Sequence, residues 1–597
     1  MFTWLFIVSF VLWTENVFAG NTGQDDIVVT DTRYGMKMTS IPSSAVVITD
    51  QDIKARHLST VYDVLKGLPG IDIVRQGGIG KETSIFIRGA ESSHTLVLID
   101  GVSVNNPATG GFNLSDLPAD NIERIEVVYG PLSPLYGSDA IGGVIQIFTK
   151  RALVSSGTIG FETGSFGTTR EHVSATVKKD AYGLTLAAST LDTEGFSAVR
   201  SGSEKDGYQN TYISSILGIQ LGALTRIDIT AHLAETENEL DNIDLDDPNY
   251  EQHRRWNMVG LNYSSSFTNI WTQKITLSRS NDELVDLDEN TDSNRSFANM
   301  NVKTIGWHHN VRSTDGNILT MGYEWQEKEA ELKASYSRSF SNNVVYLQES
   351  RVVSSSANLI TSLRWDKSTI NEGIFSYRFG IAYQPVENVT WRFKYGTGFK
   401  FPNIEDLFNN DLKPEKSQGW EAGVEEFISD NFFISLTYYV NDFTDLIASD
   451  ENSKTRNIGE STSKGVETNI DWNLSSALHL NGNYTYNETE DTKTNAYLLR
   501  MPLNKYGATF TIKPSGRSIF DIRYLHTGKR FDFASDGNGK PEILKAYSKV
   551  DIFASYKLRQ DTELYGRIEN LFDREYEDAK GYGAAGFTTY WGIKLSL

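Results

Sequence analysis

Clustered carboxylates are the residues of this sequence whose spacing most directly suggests chemistry. Asp241, Asp244, Asp246 and Asp247 fall in one short polar segment. Calcium is a hard cation that takes about six to eight oxygen ligands, which carboxylates supply. The spacing does not match an EF-hand loop, and a solvated loop has the same composition. The segment is therefore either a loop or part of a calcium site.

Other reactive side chains give weaker signals. The nine histidines are scattered, and His308 and His309 are the only adjacent pair. Neighbours on a strand point to opposite faces, so this pair would chelate a metal poorly. No Ser-His-Asp arrangement or zinc-ligand spacing stands out, and the absence of cysteine excludes disulfides and thiol chemistry. We therefore predict no enzymatic activity.

The composition narrows the class of protein. A formal net charge of −21 at pH 7 argues against nucleic acid as a partner, because that role needs a basic face. Aromatic residues reach 12% of a chain that is slightly polar on average. Membrane β-barrels combine these properties, because aromatic girdles ring both interfaces while the inner wall stays polar.

The first 40 residues read as an export signal and a leader. Residues 2–13 are apolar, and Val17-Phe18-Ala19 resembles a cleavage site, so residues 1–19 are predicted to be a signal peptide. No Lys or Arg precedes the apolar run, which leaves an interfacial anchor as the alternative. In the leader, Ile27–Thr30 is β-prone. It is either an edge strand of the first domain or a strand kept free for a partner.

Two regions with different sequence patterns follow the leader. Residues 41–150 mix short strands with a helix that Ser59 could cap, and they end in the glycine-rich stretch Leu135–Ile147. We expect these glycines to serve turns and close packing. From about Ala152, strands with one apolar and one polar face recur to the carboxyl end, where Trp591, Ile593, Leu595 and Leu597 share a face. This alternation is typical of a barrel with lipid outside.

The motifs of the whole mature chain resemble the TonB-dependent outer-membrane transporters. They are a TonB box at 26–30, plug motifs at 85–89, 94–101, 125–130 and 136–143, mid-barrel motifs at 395–400, 414–417 and 420–421, and a closing motif at 570–576. The resemblance predicts a membrane β-barrel of 22 antiparallel strands with an N-terminal α+β plug domain inside the lumen. The implied domains are a signal peptide (1–19), TonB box and leader (20–40), plug (41–150) and transmembrane barrel (151–597).

Within this family the plug is most similar to the cobalamin receptors, at residues 68–73, 84–89 and 138–144. The resemblance implies active import of cobalamin across the Gram-negative outer membrane. The implied partners are TonB with ExbB and ExbD, a periplasmic binding protein and outer-membrane lipid. A ferric siderophore, haem or another chelate is the alternative cargo. A structural or adhesive barrel is the alternative class.

The resemblance also assigns candidate site residues. The TonB box is Asp26, Ile27, Val28, Val29 and Thr30. Ligand contacts are expected on two apical loops of the plug, from Gln76, Lys81, Glu82, Thr83 and Ser84 and from Asn106, Ala108 and Gly110.

Charged residues form the remaining candidates. A charge lock is expected between plug Arg88 or Arg124 and barrel Glu421 or Glu569, with ordinary salt bridges inside the plug as the alternative. No cofactor is required, but calcium could order the outer loops through Glu204, Asp206, Asp241 and Asp244. Ser197 stands where the relatives often have an aspartate, which weakens this cage.

Overall fold

The structure is a computed structural model. It describes residues 28–29, 31–33, 35–56, 58–241, 246–288, 295–332, 336–408, 412–449, 454–533 and 541–597. The predicted signal peptide lies outside the described residues, as do Asp26, Ile27 and Thr30 of the predicted TonB box and Asp244 of the predicted calcium site.

The N-terminal domain is built on a five-stranded sheet with the order β3 (Ala45–Thr49), β8 (Ile122–Tyr129), β9 (Gly143–Thr149), β6 (Thr95–Ile99) and β7 (Val102–Ser103). β6 and β9 are parallel and the other pairs are antiparallel. Val61 and Leu65, the first and last residues of helix α2 (Val61–Leu65), are fully buried in the core of the domain. Thr60, one residue beyond the predicted cap Ser59, accepts the Asp63 N–H and closes a capping box. This is the mixed α/β plug that the sequence predicted.

The elements of this domain, with a short N-terminal strand pair, are β1 (Val28–Val29), β2 (Met36–Lys37), β3 (Ala45–Thr49), α1 (Asp50–Arg56), α2 (Val61–Leu65), β4 (Ile71–Arg75), β5 (Thr83–Ile87), β6 (Thr95–Ile99), β7 (Val102–Ser103), β8 (Ile122–Tyr129), α3 (Ser133–Tyr136) and β9 (Gly143–Thr149). Single 3-10 turns cover Met38–Ser40, Ser92–His94 and Leu114–Asp116.

The rest of the chain is a closed antiparallel barrel of 22 long strands, which confirms the predicted fold. The first barrel strand, β10 (Ser156–Gly164), pairs with the last, β34 (Thr588–Ser596), to close the ring. Trp591, Ile593, Leu595 and Leu597 are all exposed on the outer wall, as the alternation predicted. Among the described residues, no helix is long and apolar enough to cross a membrane.

The barrel strands are β10 (Ser156–Gly164), β11 (Thr169–Lys179), β12 (Tyr182–Thr193), β13 (Tyr208–Leu221), β14 (Thr225–Glu239), β15 (Tyr250–Ser266), β16 (Trp271–Asp288), β17 (Arg295–Arg312), β18 (Ile318–Leu332), β19 (Tyr336–Ser354), β20 (Ala357–Ser368), β21 (Ile374–Val386), β22 (Val389–Lys400), β23 (Glu415–Ser429), β24 (Phe432–Ser449), β25 (Thr455–Ser475), β26 (Leu478–Asp491), β28 (Asn504–Ser515), β29 (Ser518–Thr527), β32 (Tyr547–Lys557), β33 (Thr562–Glu569) and β34 (Thr588–Ser596). Short strands in the connections are β27 (Ala496–Tyr497), β30 (Arg530–Asp532) and β31 (Glu542–Leu544), and 3-10 turns cover Ser165–Gly167 and Asp406–Phe408.

The two ends of the barrel differ. Short turns such as 430–431 and 476–477 join strands at one end, here called the turn end, and longer connections such as 194–207 and 570–587 join them at the other, the loop end. The plug fills the lumen, and α3 lies against β20–β22. Gly137, with φ +89°, ends α3 where a Cβ atom would lie 2.5 Å from the guanidinium of Arg364 on β20. The glycine-rich stretch is therefore a close-packing element against the barrel wall.

Candidate functional site

A buried charge cluster joins the plug to the barrel. Arg88, directly after β5, donates to Glu421 at 2.5 Å and to both carboxylate oxygens of Glu467 at 2.8 and 2.6 Å. Its guanidinium lies 4.6 and 4.4 Å from the ring centres of Tyr129 and Tyr439. Side-chain exposure of the three charged groups is 1%, 3% and 5%. Such burial makes an unpaired charge costly, so the cluster favours one seating of the plug.

A second cation in this cluster comes from the barrel itself. Lys394 on β22 lies 3.3 Å from Glu421 and donates to the backbone oxygen of Tyr129 at 2.5 Å. The N–H of Ser44 also donates to Glu421, at 2.7 Å. Glu421 therefore pairs with one cation from the plug, Arg88, and one from the barrel, Lys394, whereas Glu467 pairs with Arg88.

The structure brings together one of the predicted lock pairs, Arg88 with Glu421, and places the other two residues elsewhere. Arg124 pairs with Glu123 and Glu126 of the plug, at 3.0 and 2.8 Å. Glu569 accepts from Arg567 of its own strand at 3.0 Å. In both cases a residue of opposite charge, one or two positions away in the chain, already pairs with the group.

Sequence reasoning missed Glu467 and Lys394 in this cluster. Alternation along β25 buries Ser461, Ser463 and Glu467 on one face. That signal could have identified Glu467 as an inward carboxylate, because a charge on the lumen face of a barrel needs a polar partner. The pattern alone does not name the partner.

The first apical loop is more buried than predicted. Lys81 is fully buried and donates to Asn238 at 2.7 Å and to the backbone oxygens of Gly207 and Glu239. The buried Thr83 hydroxyl donates to Asn113 at 2.7 Å. These two side chains brace the loop instead of facing an external ligand. Three predicted contacts remain available to solvent, with Glu82 exposed and Gln76 and Ser84 partly exposed.

The second apical loop needs a similar correction. Ala108 is buried against a cluster that includes Met300 and Ile404 of the barrel. Gly110 is also buried. Asn106 is partly exposed, but its amide oxygen accepts the Ala108 N–H at 2.8 Å, which shapes the turn. Burial follows from residues 401–408 after β22, which pack over this part of the plug, where the Ile404 N–H donates to the backbone oxygen of Pro107 at 3.0 Å.

Three of the four predicted calcium ligands lie together at the loop end. Carboxylate oxygens of Glu204, Asp206 and Asp241 are all within 4.8 Å of one another. Burial, with Asp241 close by, raises the pKa of both Glu204 and Asp206 to about 7. One oxygen of Glu204 is buried without a hydrogen-bond partner in the described part of the chain. An all-oxygen cluster with mutual repulsion fits a hard divalent cation.

The cluster also holds a loop in place. Asp206 accepts the Ala198 N–H at 2.5 Å, and Asp241 accepts the Val199 N–H at 2.8 Å. Ser197, at the position noted in the sequence, has its hydroxyl 3.2 Å from Asp241. It contributes a neutral oxygen where an aspartate would add charge, so this site has fewer carboxylates than the relatives' pattern.

The segment after the predicted TonB box is anchored in the lumen. The Val28–Val29 strand pairs antiparallel with Met36–Lys37. Asp31 then forms a fully buried ion pair with Arg378 of β21 at 2.6 Å, and Arg33 pairs with Glu324 of β18 at 2.9 Å. Sequence reasoning did not anticipate these contacts, which tie the N-terminal segment to the barrel wall.

Comparisons with known proteins match the chain along its length. One family model, described as the TonB dependent receptor-like β-barrel, matches residues 188–571, and another, the TonB-dependent receptor plug domain, matches residues 37–144. A curated relative, the vitamin B12 transporter BtuB of Photobacterium profundum, is 26% identical over 603 residues and 95% of each chain.

Solved structures share the fold. The siderophore receptor PirA of Acinetobacter baumannii superposes with a TM-score of 0.81 at 19% identity, covering 94% of this chain and 98% of that one. Pseudomonas aeruginosa FpvA, solved with pyoverdines, gives 0.81 at 15% identity, covering 95% and 88%. At these identities the similarity concerns the fold alone.

Proposed function

The chain belongs to the TonB-dependent receptor family, and on that premise we propose that it imports a corrinoid of the vitamin B12 class. The closed 22-strand barrel places it in the Gram-negative outer membrane. Members of the family bind a transported ligand and interact with TonB. Short turns of such barrels face the periplasm, so the loop end and the plug apices face outward.

The observation that carries the cargo proposal is the match to a vitamin B12 transporter over 95% of both chains. At 95% coverage the match extends over both the plug and the barrel. A ferric siderophore is the competing cargo, but the siderophore receptors similar to this chain share its fold at identities of 15–19%.

Cargo binding is assigned to the exposed polar groups of the plug apices. Gln76, Glu82, Ser84 and Asn106 supply donors and acceptors for the amide groups that surround a corrin ring, without coordinating cobalt. Bound calcium at Glu204, Asp206 and Asp241 would hold the adjacent loop through the Ala198 and Val199 amides. Fixing that loop in advance would reduce the entropy that binding has to overcome.

Energy coupling is assigned to the TonB box at residues 26–30. An extended segment can add a strand to a partner sheet, with backbone hydrogen bonds giving affinity. In the structure Val28–Val29 already pairs with Met36–Lys37, so a partner strand has to use the other edge or displace this pair. Force on the box would reach Asp31 and Arg33 first, because these residues hold the next contacts with the barrel.

Binding and uptake of labelled cyanocobalamin test the proposal. The purified protein with calcium should bind it saturably, and expressing cells should accumulate it only with an active TonB system. Glu82→Ala should weaken binding, while the matched control Glu387→Ala, an exposed glutamate in a turn at the opposite end, should not. Absence of binding at micromolar cyanocobalamin, with binding of a ferric siderophore or haem instead, would overturn the assignment.

A further inference from the structure

A cavity of about 310 Å³ lies between the plug and one side of the barrel, in the half near the turn end. The plug side is formed by β3, α1 and the segment from Val64 to Pro69, and the barrel side by β23–β29. A smaller cavity of about 70 Å³ shares Arg56, Lys66 and Arg523 with it. The described plug is therefore not sealed against this wall below the charge cluster.

The strand register explains the chemistry of the cavity wall. Ser435, Asn469, Asn483, Gly507 and Leu525 lie side by side across five neighbouring strands. Asn469 donates to Ser435 at 3.2 Å. The Asn483 side-chain oxygen is buried without a hydrogen-bond partner among the described residues. This wall row offers amide and hydroxyl groups and leaves an acceptor available.

The next row of wall residues toward the loop end bonds directly to the plug and is here called the seal row. In register it contains Glu467, Thr485 and Lys505. Glu467 binds Arg88, the Thr485 hydroxyl accepts the Gly70 N–H at 3.0 Å, and Lys505 lies 3.3 Å from Asp72.

The seal also depends on the small size of Gly70. This residue has φ +64°, and a Cβ atom there would lie 2.1 Å from the Glu467 carboxylate. The turn between α2 and β4 therefore contacts the barrel wall directly, on the loop-end side of the cavity.

The neighbouring wall, at β20 and β21, is filled by the plug's N-terminal segment. Asn358 of β20 donates to the backbone oxygen of Ser40 at 2.8 Å. Ile360 is fully buried in a cluster with Ile41 and Leu132. A Cβ atom on Gly380 would lie 2.6 Å from Pro42. The interface is thus packed on one side and open on the other.

We infer that this cavity is the inner half of the transport path, and that cargo enters it when the Lys66–Asp72 segment releases the seal row. The cargo class rests on the proposed function, because a corrinoid rimmed with amides matches the Asn and Ser wall row. Pockets for drug-sized ligands measure about 300–1,000 Å³, and a corrinoid is larger than such a ligand, so it needs more room than 310 Å³. Movement of the seal segment would join the cavity to the apical surface and supply that room.

The first test of the path uses no corrinoid. Arg88→Ala should loosen the seal and make cells sensitive to vancomycin, which an intact outer membrane excludes. The cavity can accept an indole ring, because about 150 Å³ is enough to hold a benzene ring. Adding Ser435→Trp should therefore place a bulky side chain in the cavity and abolish that sensitivity. Adding Ser475→Trp, on the exposed end of β25 outside the cavity, should leave it unchanged.

Both alternative outcomes are informative. If cells with Arg88→Ala still exclude vancomycin, the seal row does not close the lumen. If cells with both Arg88→Ala and Ser435→Trp stay sensitive, the cavity is not the path. Neither result depends on the cargo, so a failure of the proposed function is recognised separately, by the absence of cyanocobalamin binding to the unmodified protein.

The second test blocks the path after folding. The chain has no cysteine, so Ser435→Cys provides a single thiol for a bulky maleimide, with Ser475→Cys as the matched control. Modified Ser435→Cys should bind cyanocobalamin normally and lose uptake, whereas the modified control should keep both binding and uptake. Normal uptake after complete modification at position 435, verified by mass spectrometry, would refute the inference even if the tryptophan variant fails to assemble.

Discussion

Removing the Arg88 charge should release the plug on the side of the barrel that carries Glu467. Arg88→Met keeps much of the side-chain volume and leaves two buried carboxylates behind. Breaking a buried ion pair from one side costs about 3–5 kcal/mol. Glu421 retains Lys394 at 3.3 Å, whereas the described residues offer Glu467 no cation other than Arg88 within ion-pair distance. Most of the loss should therefore come from Glu467.

That asymmetry predicts which second change restores stability. Arg88→Met with Glu467→Gln should recover most of the lost free energy, and Arg88→Met with Glu421→Gln should recover less. Amide hydrogen exchange of β4 and β5, in purified protein in detergent, measures the local opening. A loss of about 3–5 kcal/mol corresponds to roughly 10²- to 10⁴-fold faster exchange.

Lys54→Met is the control, because Lys54 of α1 is also a plug cation but is 47% exposed and pairs with the partly exposed Asp50. Exposed pairs contribute about 0–1 kcal/mol, so exchange of β4 and β5 should change little. Equal exchange in Arg88→Met and in both double variants would show that the uncompensated charge is not what destabilises the plug. It would refute the reasoning on the lock.

Three further predictions concern coupling and the loop-end cation site. Deleting residues 25–31 should abolish uptake and leave cyanocobalamin binding intact, because the deletion removes the coupling segment and spares the apices; loss of binding would contradict this. Asp206→Asn should weaken calcium binding, measured by titration calorimetry, and should expose the loop to protease, while the exposed Glu194→Gln of the same loop should do neither. Ser197→Asp should strengthen calcium binding, because it adds a carboxylate beside Asp241; unchanged affinity would mean that the cation does not reach this oxygen.

The architecture was predictable because it follows from local signals repeated many times. Each barrel strand alternates apolar and polar faces, and this period depends only on strand geometry. The plug domain and its place in the lumen were predicted instead from the resemblance of its motifs to a known family. Local signals do not fix an element boundary to the residue, as the cap of α2 shows. Thr60 and Ser59 are both suitable caps, and the backbone places Thr60 at the position that reaches Asp63.

The site was predictable only in part, because burial in the apices is decided by distant segments. Lys81 lies in a polar loop by sequence, but it is buried by Asn238, 157 residues later. Ala108 is covered in the same way by Ile404. Glu204, Asp206 and Asp241 lie together because a shared chemical property, rather than a contact, grouped them in the sequence, and their binding of calcium stays a prediction. Lys394 and Glu467 were missed because pairing across the lumen leaves no local pattern.

The plug is attached by two kinds of contact that respond differently to force. On the β13–β15 side, Tyr212, Trp256 and Met258 share a buried apolar cluster with plug residues, including a Phe112–Trp256 ring pair. Separating that side exposes apolar surface to water, which is unfavourable.

On the β22–β28 side the contacts are charges and hydrogen bonds at Arg88, Gly70 and Asp72, next to the cavity. Water can replace a separated hydrogen bond, and a rehydrated ion pair regains much of its solvation, so the net cost of opening is modest there. A plug pulled from its N-terminal segment should therefore open beside the cavity while its apolar side stays seated. The same asymmetry explains how one domain can close the lumen at rest and still leave a single wall along which cargo can pass.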